Sequence, residues 1–130
     1  MRTSAKLPSL LALVVAFVAS FACSGGSQKP DAYGERSATT IAGNQVTVEL
    51  TNLQFVPQGI RIKTGTKVTW VNKDVAVHNV SSIDSVFLSA PQGDMKQGDT
   101  FSFTFDTPGT YRYQCTYHHP NMNGLVIVEE

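Results

Sequence analysis

The chain has 130 residues, with ten Lys or Arg against ten Asp or Glu, so its formal net charge is zero. That length fits one domain with a tail. The balanced charge excludes an electrostatic case for a nucleic-acid partner or a polybasic membrane surface.

In chain order, Arg2 and Lys6 precede an apolar run, LLALVVAFVASFA, from Leu10 to Ala22. A positive start followed by a run too short for a comfortable membrane span reads as a secretory signal over residues 1–22. A retained membrane anchor is the competing reading. Cys23 stands where the run ends, before Ser-Gly-Gly-Ser. This resembles a bacterial lipoprotein signal, in which such a cysteine becomes the lipidated N-terminus, except that Ser20 stands where that signal usually carries Leu. Plain cleavage after Ala22 is the alternative. Residues 23–43 are mostly small, polar or charged and lack apolar periodicity, so they are expected to be a flexible linker ahead of a domain at 44–130.

Within that domain, Val46, Val48 and Leu50 alternate with polar residues and share one face of an expected strand. Ile60 to Ile62 repeats the pattern briefly, and Lys67 to Val71 follows a Thr-Gly-Thr turn. His78 to Ile83 is a further candidate strand. Thr100 to Phe105 sets Phe101, Phe103 and Phe105 on one side, where they read as core. Thr110 to Cys115 follows Thr107-Pro108-Gly109, and Leu125 to Glu129 closes the series. Gly, Pro, Asn and Asp clusters separate these runs, and no stretch keeps a helical period. The expected class is all-β, a sandwich or barrel, with Trp70 in its core.

The chemistry gathers near the C-terminus. Cys115 ends a strand, His118, His119 and Met122 occupy the loop that follows, and His78 lies just beyond another strand and its Asn72-Lys73-Asp74 turn. If that turn opens at the same end of the sandwich, His78 faces the Cys115 loop. With Cys23 at the processing site, Cys115 is an unpaired thiol in an oxidising compartment, protected either by burial or by a metal. A thiolate, two imidazoles and a thioether suit copper, and a His, His, Cys set with a weak axial Met is the blue-copper arrangement. Zinc is the rival, but it gains little from Met. Pro120 fixes its own φ and biases His119 toward an extended shape. Met95 reads as a loop side chain rather than a ligand.

Two segments, Trp70-x-Asn72-x-Asp74-x-x-x-His78 and Pro108-Gly109-x-Tyr111-x-Tyr113-x-Cys115-x-x-His118 with Met122-x-Gly124 beyond, resemble those of the cupredoxins, the small blue copper proteins of the plastocyanin, amicyanin and pseudoazurin type. The similarity runs from about Val46 to Val128. It implies a Greek-key β-sandwich holding one copper ion, Cu(I) or Cu(II), on His78, Cys115, His118 and an axial Met122. It also implies that Asn79 braces the backbone at Thr116, a contact that fixes ligand geometry. The loop departs from the family's usual pattern because three residues separate His118 from Met122. Taking His119 as the ligand restores His-Pro-x-Met-x-Gly but lengthens the step from Cys115. The shorter step favours His118, and His119 stays open as the alternative.

The implied function is electron transfer in the cell envelope, by a monomer exported to the periplasm or outer surface and tethered through Cys23. Its redox partners would dock through a small, weak interface. Copper binding, buffering or delivery is the alternative, made less attractive by only three methionines. An enzyme is not expected, since three histidines leave too few for a second copper centre.

Overall fold

Nine strands run through the residues that this computed structural model describes, 31–89 and 93–130. The signal segment, Cys23 and the first part of the linker lie outside the described residues. The strands are β1 (Thr39–Thr40), β2 (Gln45–Thr51), β3 (Gln54–Val56), β4 (Gly59–Lys63), β5 (Thr66–Asn72), β6 (Ser81–Ser82), β7 (Thr100–Phe105), β8 (Gly109–Gln114) and β9 (Asn123–Glu129). They form two sheets, in the orders β1-β4-β9-β8-β6 and β3-β2-β5-β7. The β2–β5 and β4–β9 pairs are parallel, whereas β5–β7 and β8–β9 are antiparallel. This is the expected all-β Greek-key sandwich.

Period-two alternation decides which side chains enter the core. In β5, Val68 and Trp70 point inward, and in β2 Val48 and Leu50 do the same. β9 lies between β4 and β8, and its residues from Asn123 to Val126 are all buried. Trp70 is the hub of the core: its ring lies 5.5 Å from Phe87, 5.5 Å from Phe101 and 5.4 Å from Tyr113, centroid to centroid. Such pairs contribute roughly 0.5–1.5 kcal/mol each beyond their buried area. Of the three Phe in β7, Phe105 is buried and the other two pack partly exposed against the core. At the β7–β8 corner the Tyr111 hydroxyl donates to the Thr107 carbonyl at 2.8 Å, pinning the turn from the side.

Three elements differ from the sequence reading. Residues 31–43 were expected to belong to a flexible linker, yet they are tied to the domain by polar and backbone contacts. The Asp31 carboxylate accepts from the amides of Glu35 and Arg36, and Gln58 Nε2 donates to Ala32 O at 3.0 Å. β1 then pairs in parallel with β4, and Ile41 N donates to Arg61 O. None of these contacts needs an apolar period, so composition does not reveal them. The expected strand at His78 to Ile83 contracts to Ser81–Ser82, because His78 instead forms an isolated bridge with Met95. β3 was not expected. It returns from β2 through a two-residue hairpin in which Asn52 and Leu53 both have positive φ, 52° and 59°.

Gly124 packs under the ring of the fully buried Tyr113, and a Cβ there would stand inside the ring's contact distance. Gly124→Ala is expected to destabilise the domain by about 1–3 kcal/mol through overpacking. A urea titration checks this, and the penalty should shrink when Tyr113 is also replaced by Leu.

Candidate metal centre

Two loops build the site, one from each sheet. The first leaves β5 at Asn72, whose buried carboxamide organises it. Asn72 Nδ2 donates to Ala76 O at 2.9 Å and Met95 O at 2.8 Å, and Asn72 Oδ1 accepts from Asp74 N at 2.9 Å. The loop thus winds around one side chain and delivers His78 at its end. His78 N donates to Met95 O at 3.1 Å, and Met95 N donates back to His78 O at 2.7 Å. The imidazole emerges fully buried from a backbone held on both sides.

The second loop leaves β8 at Gln114 and returns to β9 at Asn123. It folds back on its own carbonyls. His118 N donates to Cys115 O at 3.2 Å, Asn121 N and Met122 N both donate to His118 O, and Cys115 N donates to Met122 O at 3.0 Å. Cys115 and Met122 are fully buried across that last bond, His118 is half-buried, and His119 is exposed. Asn79 joins the two loops. Its Nδ2 donates to Thr116 Oγ1 at 2.7 Å, and its Oδ1 accepts from Thr116 N at 2.8 Å. Tyr117 adds a second tie, donating its hydroxyl to the Asp94 carboxylate. That bond pushes the phenol's pKa above its ordinary value.

Folding therefore brings together side chains 37 and 40 residues apart in sequence. Cys115 Sγ lies 3.4 Å from His118 Nδ1 and 3.7 Å from His78 Nδ1, and the two imidazole nitrogens are 3.2 Å apart. The three atoms all fall within 4.8 Å of one another. His119 is not in this group. Among the described residues it is the one cluster of three or more His, Cys, Asp or Glu able to hold a metal ion.

The chemistry of the donor set fits a soft or borderline cation. Two imidazoles and a thiol with converging lone pairs can satisfy one another only partly by sharing protons. A cation accepts all three lone pairs at once and removes the cost of leaving buried polar atoms unpaired.

The roles of two residues at the site escaped the sequence reading. Met95 acts through its backbone, for which the sequence carries no signal. Asp74 Oδ2 lies 2.9 Å from His78 Nε2. Its spacing four residues before the histidine was the available clue. Burial works against ionising Asp74, but the Leu53 amide, the His78 ring and the Asn52 amide together hold its pKa below the usual carboxylate value.

A two-sheet sandwich with a Cys, His, His cluster at one end defines a metal-binding cupredoxin-type domain. The chain belongs to the plastocyanin/azurin family of copper-binding proteins, whose profile matches residues 42–129. It is 32% identical to amicyanin of Paracoccus denitrificans over 99% of this chain and 100% of that protein. Among solved structures, an amicyanin variant in its Cu(I) form superposes with a TM-score of 0.58 at 33% identity, covering 68% of this chain and 86% of that one. The copper-containing nitrite reductase of Thermus scotoductus superposes with a TM-score of 0.65 at 26% identity over 75% of this chain. This chain spans only 29% of that enzyme's length, so the likeness is to part of it.

Removing the Asn79 carboxamide leaves the Thr116 amide without its partner and removes one of the ties between the two loops. Asn79→Ala should destabilise the metal-free protein by about 1–3 kcal/mol. It should also weaken copper binding by roughly 10–100-fold. Thermal melts and competitive copper titration check the two effects separately.

Proposed function

We propose that this protein is a type 1 copper protein that carries single electrons between redox partners in the cell envelope. In this reading His78, Cys115, His118 and Met122 would hold the ion. The observation that carries it is the convergence of the His78, Cys115 and His118 ligand atoms within 4.8 Å at a largely buried end of the sandwich. The family match over residues 42–129 supports copper as the ion. When bound, copper supplies a reversible one-electron couple.

The chain's own residues do the rest. Asn79, Met95 and Met122 hold the ligand-bearing backbone in place, so the donor set need not rearrange when charge changes. Burial of Cys115 keeps water and oxidants from the thiol. The half-buried His118 offers an edge toward solvent through which an electron can leave. Exposed Val75, Val77 and Tyr117 flank the ligands in sequence and suit a small, transient contact. The likeness to amicyanin over 99% of this chain favours a carrier. The signal reading of residues 1–22 and lipidation of Cys23 would place a monomeric domain on a tether in the periplasm or at the outer surface.

Cupric loading of the purified protein should give an intense blue charge-transfer band that Cys115→Ser abolishes. His118→Ala should destroy the band while His119→Ala spares it, and the reverse outcome would move the ligand to His119. Reversible voltammetry without loss of the ion to a chelator on reduction is expected of a carrier. Prompt release on reduction would indicate delivery instead.

A further inference from the structure

The Asp74 carboxylate sits at the junction of three elements. Its Oδ1 accepts from Asn52 N at 2.8 Å, and its Oδ2 accepts from Leu53 N at 3.0 Å. The same Oδ2 lies 2.9 Å from Nε2 of His78, whose side chain is fully buried while that of Asp74 is only 18% exposed. The other ring nitrogen, Nδ1, faces Cys115 and His118. A neutral imidazole carries one proton. A carboxylate accepts and does not donate, so the proton belongs on Nε2 and the Nδ1 lone pair is left facing the cluster. The arrangement at Asp74 is itself held. Asn72 Oδ1 fixes the Asp74 amide, and the Asn52–Leu53 turn supplies two donors from a hairpin that Leu adopts only at positive φ. Lys73, the neighbouring cation, pairs with Glu49 at 3.9 Å.

We propose that Asp74 is a positioning residue for the copper centre, anchored by the β2–β3 turn. It locks His78 in the Nε2-protonated tautomer and sets a fixed negative charge beside the site that favours the oxidised ion. The inference rests on His78 being a ligand, as read above. The physical reasons are two. A charge-assisted hydrogen bond to the distal nitrogen orients the ring and raises its basicity. A negative charge held in a poorly solvated place stabilises the more positive of two charge states. The turn adds rigidity, since its two amides keep the carboxylate from swinging into solvent.

Two measurements on the full exported chain test this. In the metal-free wild type, long-range proton–nitrogen correlation NMR should find the His78 proton on Nε2. A proton on Nδ1 would overturn the proposal whatever the copper chemistry. In copper-loaded protein, Asp74→Asn should raise the midpoint potential, and Asp74→Glu should return it toward the wild-type value. If Asp74→Asn melts earlier yet leaves potential and visible spectrum unmoved, Asp74 is only a turn cap and the proposal fails. Should Asp74→Asn not fold, the tautomer and the Asp74→Glu potential decide. The failures are separable: a wild type without a blue band counts against the ligand reading, whereas a blue wild type with an unmoved Asp74→Asn potential counts against Asp74 alone.

Discussion

The two hydrogen bonds between the Asn79 carboxamide and Thr116 join loops that belong to different sheets, and the metal centre exists only where those loops meet. Without that tie, the bond from Tyr117 to Asp94 would be the remaining side-chain link named between the loops outside the ligand cluster. Each loop is also closed on itself, the first around Asn72 and the second through the bonds among Cys115, His118 and Met122. The positions of His78, Cys115 and His118 are therefore held by backbone and carboxamide hydrogen bonds. Such bonds are strong where water is excluded, and their loss is costly.

A site built this way suits an ion that must change charge without changing place. The core beneath is a set of packed aromatic rings centred on Trp70, and interiors at this density yield little. Tyr113, two residues before Cys115, belongs to that core, and Gly124 makes room for its ring. The strand that delivers the thiol is thus continuous with the aromatic core. His118 is the exception. It is half-buried, where His78 and Cys115 are fully buried.

The sequence disclosed the fold wherever strands announce themselves by alternation. Val46 to Leu50, Lys67 to Val71 and Thr100 to Phe105 all became strands, and Trp70 became core. β1 and β3 were invisible because they are two and three residues long and are held by backbone pairing or a tight turn. At the site, the residue types and the short step from Cys115 to His118 were legible. Whether His78 faces them was conditional, because the direction in which the Asn72 loop opens depends on tertiary packing. The anchoring of Asp74 was hidden for the same reason: its partners Asn52 and Leu53 lie 22 and 21 residues away. The linker was over-extended because polar composition does not distinguish a free chain from one pinned by Gln58 and by pairing with β4.

The most direct test of a preformed, charge-tolerant copper site is X-ray absorption at the copper edge, measured on the same sample oxidised and then reduced. The account predicts two nitrogen neighbours and one thiolate sulfur in both states, with almost no change between them. A coordination sphere without sulfur, or one that loses a neighbour on reduction, would contradict it.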